Sequence, residues 1–252
     1  KPDKHYKGFI KPYVSGESNY ISCNAKYFSV LKDAGGGPVF IHSIKNTGKV
    51  GVKPPVLAVH KGKTLDSDFN PFHSNVIATV SEDCSLCISK FPHGGLTENI
   101  KDPLVRMKGH QKKVTLCKFN PCADNIIGTA SMDGTVKIWD LRTAGCSRDK
   151  IIKDKKTFVN SSILHPNQGE IICGDQSGTL SIYDIAENKI RTQWQQDMKS
   201  IPIRAVTMSN DASMLCVANN RGMIYVYKPT NLIKLTQKLN SNSNNNSNNK
   251  SD

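Results

Sequence analysis

The chain has 252 residues, 37% hydrophobic and 22% charged, with 34 Lys and Arg against 21 Asp and Glu and a net charge of +13. This content supplies a core for one large domain or two small ones. No apolar run approaches the roughly 18 residues of a membrane span, and the opening KPDKHYKGFIKPYV lacks the apolar stretch of a secretory signal. The charge predicts attraction to an acidic surface without naming one.

Read in chain order, the elements repeat. The segment ISCNAKYFSVLKDAGGGPVFIHSI predicts two strands around a turn at Gly35 to Gly37. No helix follows DAGGGP to aim its N-terminus at a phosphate, so the glycines mark a hairpin turn, not a nucleotide loop. Next comes LDSDFNPFHSNVIATVSEDCSLCISKF, and then TENIKDPLVRM, where Pro103 argues for a loop. The stretch GHQKKVTLCKFNPCADNIIGTASMDGTVKIWDL aligns without a gap on the copy 50 residues earlier. Phe119 falls on Phe69, Asn120-Pro121 on Asn70-Pro71, Ser131 on Ser81 and Asp133 on Asp83. A step of 44 to 45 leads to VNSSILHPNQGEIICGDQSGTLSIYDI, and a further 44 to AVTMSNDASMLCVANNRGMIYVYKP, with Gly178 and then Gly222 in the place of Gly134.

Within each unit an apolar strand ends at a polar turn, a second strand follows, and a tight turn such as Asp133-Gly134 leads into an alternating third strand. About five units at a period of 44 to 50 residues is the spacing of a four-stranded propeller blade. The expected fold is therefore all-β, a propeller of antiparallel blades over residues 1–229, with units at about 17–50, 56–95, 104–145, 151–189 and 198–229. Five units could close a small ring or form part of a larger one. From Lys238 the composition collapses to Asn and Ser, so 230–252 is expected to be a disordered tail.

Candidate chemistry is sparse. Ser131, His110 and Asp133 have the residue types of a hydrolase triad, but each occupies a repeat position. His60, Ser81 and Asp83 recur one unit earlier, with Ser89 where Trp139 stands. A triad is recognised by geometry, so the sequence favours a structural role and no catalytic residue is assigned. Cys84 and Cys87 form a CxxC within an expected strand, with no second pair at zinc spacing, so no metal site and no cofactor is expected. The remaining cysteines include Cys23, Cys117, Cys173 and Cys216 in apolar runs, where a reduced thiol packs as a small hydrophobe. CGDQSG lacks the spacing of a nucleophile elbow.

Gly109-His110 opening a unit and Trp139-Asp140 closing it resemble the WD repeat. That resemblance implies a structural tetrad of His110, Ser131, Asp133 and Trp139, in which Asp133 orients the imidazole, Ser131 bridges and the indole N–H caps the chain. Residues 5 to 141 further resemble coronins, actin-associated WD-repeat proteins, through AGGGPVFIHSIKNTGKV and PHGGLTENIKDPLVRMKGHQKKV. Residues 129 to 229 are similar to Lst8, the G-beta-like subunit of TOR kinase complexes, above all in LHPNQGEIICGDQSG. Both families close seven blades.

The resemblances imply a non-enzymatic scaffold. The leading expectation is a cytoplasmic, cytoskeleton-associated protein that binds actin filaments through a basic rim of Lys61, Lys63, Lys108, Lys112 and Lys113. The alternative partner is a TOR-type kinase. Nucleic acid is argued against, because no aromatic residue interleaves with KGHQKK or KDKK to offer a stacking platform.

Overall fold

The structure, a computed structural model, describes residues 5–7, 19–32, 35–143, 145–151, 159–164, 170–184, 187, 189–195, 201–209, 211 and 213–228. The segment 230–252, expected to be a tail, lies outside them. The described residues form strands, turns and loops with no helix, and they fall into two compact units, Lys1–Lys156 and Thr157–Asp252.

In the first unit, β1 (Tyr6–Lys7) pairs in parallel with β5 (Gly48–Lys49), while β2 (Ile21–Cys23), β3 (Tyr27–Leu31) and β4 (Val39–Ser43) form a three-stranded antiparallel sheet. Two four-stranded sheets follow in strict sequence order. One contains β6 (Thr64–Phe69), β7 (Val76–Ser81), β8 (Ser85–Lys90) and β9 (Val105–Lys108); the other contains β10 (Val114–Phe119), β11 (Ile126–Ser131), β12 (Thr135–Asp140) and β13 (Gly145–Ile151). The second unit holds a sheet of β14 (Val159–Leu164), β15 (Glu170–Asp175), β16 (Thr179–Asp184) and β17 (Lys189–Gln195), then a three-stranded sheet of β18 (Ile203–Met208), β19 (Leu215–Asn219) and β20 (Ile224–Tyr227). Apart from the parallel β1–β5 pair, each sheet is an up-and-down meander, the construction of a propeller blade.

The local chemistry explains the meanders. Asn70 Oδ1 accepts the N–H groups of Phe72 and His73, and Asn120 Oδ1 those of Cys122 and Ala123, so the Asn-Pro turn closes in the same way in successive sheets. The turn between second and third strands places Gly134, Gly178 and Gly222 at φ of 80°, 83° and 76°. Cys84 holds the same place at φ 64°, a left-handed conformation that costs a side chain energy. Cys84 thus belongs to this turn and not to the expected strand, and Cys87 lies in β8.

Burial lies between sheets, where faces that alternate along each strand meet. Tyr27, Val39, Ile41, Phe69 and Ile77 pack in one cluster, and Ala78, Ile88, Phe119, Ile127 and Trp139 in the next. In the second unit Ile172, Leu180, Ile203 and Leu215 form a further cluster.

Candidate functional site

The loop that enters β10 carries His110, which is 6% exposed. Its Nδ1 lies 3.0 Å from Asp133 Oδ2 and 3.1 Å from Thr135 Oγ1, and its Nε2 lies 2.7 Å from Thr129 Oγ1. The Trp139 indole N–H donates to the same Thr129 oxygen at 2.8 Å. Burial opposes the charge on Asp133, yet hydrogen bonds from Thr135, the Gln111 N–H and the imidazole hold its carboxyl below the usual range.

One feature corrects the expected tetrad: the hydroxyl joining imidazole to indole is Thr129, not Ser131. Ser131 Oγ donates toward the Lys112 and Lys113 carbonyls, 3.0 Å from each, and accepts the Asp133 N–H. The physical reason is strand parity. Residues 129 and 131 lie on one face of β11, and Ser131 sits one step nearer the strand end, level with the loop and not with the ring. With Ser131 turned to the loop, serine, histidine and aspartate do not assemble as nucleophile, base and orienting acid.

The preceding sheet repeats the arrangement with other residues. His60 Nε2 lies 2.9 Å from Thr79 Oγ1, and its Nδ1 lies 3.2 Å from Asp83 Oδ2 and 3.1 Å from Ser85 Oγ. Burial disfavours the imidazolium, but the Asp83 carboxylate and the Cys87 sulfur beside Nδ1 outweigh it and push His60 up to about 9. Asp83 is correspondingly held low, against burial, by His60, Ser85 and the Lys61 N–H. Ser89, in the position of Trp139, is 1% exposed and its hydroxyl has no partner. A compensating exchange accompanies it. Gly109 sits so close to the indole that a Cβ there would lie 3.1 Å from Trp139 Cη2, whereas its counterpart 50 residues earlier, with no indole to clear, is the buried Val59.

The basic residues lie at one end of the strands. Lys61 and Lys63 precede β6, Lys108 ends β9, and Lys112 and Lys113 precede β10; all are exposed except the half-buried Lys63. Their loops are anchored, since the Lys61 and Gln111 N–H groups donate to Asp83 and Asp133 at 2.9 Å, and the Lys63 and Lys113 carbonyls accept from Glu82 and Met132.

Sequence reasoning missed a second buried polar group, the joint between first strands. Asp66 Oδ2 accepts the Cys117 N–H at 3.0 Å and Asp68 Oδ2 accepts the Phe119 N–H at 2.9 Å, while Lys118 Nζ reaches Asp68 Oδ1 at 2.9 Å. Full burial pushes the Asp66 carboxyl up to about 6, against the pull of Lys118 and the Cys117 N–H. The signal was present in the alignment of repeats, because Asp68 and Lys118 stand 50 residues apart, at one repeat position with opposite charges.

Among the described residues no group of His, Cys, Asp or Glu could hold a metal ion, and no helix is long and apolar enough to cross a membrane. Two family models match: "WD domain, G-beta repeat" over residues 101–140, and "Domain of unknown function (DUF1899)" over residues 1–49. A target of rapamycin complex subunit, wat1, of Schizosaccharomyces pombe is 37% identical over 51% of this chain and 40% of its own length. The coronin-like protein crn1 of the same yeast is 35% identical over 49% of this chain and 21% of its own, and coronin-A of Dictyostelium discoideum 36% identical over 41% and 23%. The chain thus spans less than half the length of each of these relatives. The solved WD40 domain of Toxoplasma gondii coronin superposes with a TM-score of 0.72 at 18% identity, covering 90% of this chain and 63% of that one. The chain therefore carries a WD40 repeat at residues 101–140 and folds as propeller blades, with relatives among both the coronins and the TOR complex subunits.

Proposed function

We propose that this protein is a non-catalytic interaction scaffold that binds actin filaments as coronins do, in the cytoplasm and in association with the cytoskeleton. The observation that carries the reading is the run of coronin relatives that match this chain, three of them at 33 to 36% identity. Lys61, Lys63, Lys108, Lys112 and Lys113 form the binding rim. Held on anchored loops at one end of the strands, they lose little freedom on meeting an acidic filament, and their contact weakens with salt.

The test is co-sedimentation of the folded chain with actin filaments at low and high salt, beside the Lys112→Glu/Lys113→Glu variant. Salt-sensitive pelleting that the double charge reversal reduces supports the proposal. Equal pelleting by the variant removes those lysines from the site, and no pelleting by a chain with a cooperative melt overturns actin binding.

A second reading rests on the 37% identity to a target of rapamycin complex subunit. It makes the chain a stabilising subunit of a TOR-type kinase and predicts stoichiometric association with a kinase domain that survives salt.

A further inference from the structure

We propose that the first sheet carries a binding site for an extended acidic peptide, which adds as a short strand beside Ile41 on the outer edge of β4, in a cleft walled by Pro54, Pro55, Gly94 and Gly95. This site is separate from the rim lysines.

The edge is left open by the way the chain leaves β4. Val39 exchanges both backbone hydrogen bonds with Leu57, at 2.8 and 2.9 Å, and Leu57 in turn bridges to Ile100. Among the described residues the place of a fourth strand is therefore filled at Val39 alone. Two residues further along β4, Ile41 directs its N–H and C=O to the same side as Val39. The residue that would face it is Pro55, which has no N–H to give, and no bond to Ile41 on that side forms among the described residues. Ile41 is 5% exposed, so its two polar groups sit in a recess where an unmet hydrogen bond is costly.

The recess is a cleft of about 360 Å³ lined by Phe40, Ile41, His42 and Ser43 on the β4 side. The glycine pair belongs to the stretch PHGGLTENIKDPL between β8 and β9. Gly94 and Gly95 have φ of 121° and 109°, and a Cβ at either would meet nothing within 4 Å. Their lack of side chains keeps the wall low, and the Gly94 N–H is tied to Tyr27 Oη at 2.8 Å, which fixes the loop.

Charge selects the occupant. No Asp or Glu lines the cleft, whereas Lys49 and Lys53 do, both exposed and neither in an ion pair among the described residues. Phe40, Val50 and Leu96 give an apolar floor. A strand alternates its side chains, so an extended peptide of alternating acidic and apolar residues can offer carboxylates to Lys49 and Lys53 and apolar groups to Phe40, Val50 and Leu96 while its backbone bonds Ile41, the mode of strand addition.

The experiment uses the full chain and a fluorescein-labelled synthetic peptide of alternating Glu and Val, followed by anisotropy. Three controls accompany it: the same peptide with Lys for Glu, the same peptide N-methylated on alternate amides, and inorganic phosphate as competitor. Saturable binding of the Glu peptide, weakened about tenfold or more by Lys49→Glu/Lys53→Glu and by N-methylation, and unchanged in Lys112→Glu/Lys113→Glu, is the expected result. Lys49 and Lys53 are exposed, and a matching thermal melt confirms that the variant is folded. No binding of the Glu peptide, equal binding of the Lys peptide, or equal binding by the charge-reversed chain overturns the proposal. So does indifference to N-methylation combined with displacement by phosphate, which would make the cleft a small-anion site.

Discussion

Replacing Asp66 with asparagine will flatten the pH dependence of stability between about pH 4 and pH 6. Burial raises this carboxyl from 3.8 to about 6, so across that window the folded chain binds a proton that the unfolded chain has released. Stability then falls as pH rises through the window, is at its best near the unfolded value, and loses the whole contribution above the folded one. A shift of this size corresponds to about 3 kcal/mol. The neighbouring groups act elsewhere: Asp83 and Asp133, both held low, cost stability only as pH falls below the ordinary carboxylate value, and His60 acts above 6.5. Asp66→Asn is neutral throughout. It keeps one oxygen for either the Cys117 or the Ser67 N–H and turns an amide toward the other, at a cost of about 1 to 3 kcal/mol. Urea unfolding followed by tryptophan fluorescence at half-unit pH steps reads both effects. A variant that is less stable at every pH, yet retains the parent's slope, would show that Asp66 does not titrate in this window and would refute the argument from burial.

Three further outcomes follow from the geometry. Stability will fall by about 3 kcal/mol as pH rises from 6.5 through about 9, because folded His60 keeps a proton that unfolded His60 loses; His60→Gln should remove that slope, and its persistence in the variant would assign it to another group. Cys84→Gly should raise stability by up to about 1 kcal/mol by relieving a left-handed cysteine, and a lowered melting temperature would contradict that. Gly109→Val should destabilise by about 1 to 3 kcal/mol through collision with Trp139, and Trp139→Ser should absorb part of the cost. Strict additivity in the double-mutant cycle would mean that the Val59 and Ser89 pairing one sheet earlier is coincidental.

The repeat was legible in the sequence because its markers are backbone requirements: asparagines that close turns, and glycines at 134, 178 and 222 that allow positive φ. The identity of the bridging hydroxyl was not. Thr129, Ser131 and Thr135 all offer a hydroxyl within seven residues of one another, and the first two share a strand face, so spacing alone does not say which lies level with the ring. A bulge between Val114 and Leu116, which brings Ser131 opposite Val114, helps to set that level. Asp66 was hidden for another reason. In LDSDF an alternating pair of aspartates has the pattern of a solvated face, and only the neighbouring strand, which presents its N–H groups there, makes burial tolerable.

The joint at Asp66 and Asp68 is written on one side only. Both carboxylates grip main-chain N–H groups, which every residue except proline possesses, so the strand that is gripped can change its side chains and keep the bonds. Only the Lys118 contact asks for a particular residue. A unit carrying this pair can therefore sit beside a neighbour of different descent, provided that neighbour offers an extended strand. Duplication, drift and exchange of whole units leave such a joint intact, which suits a chain whose two halves resemble different families.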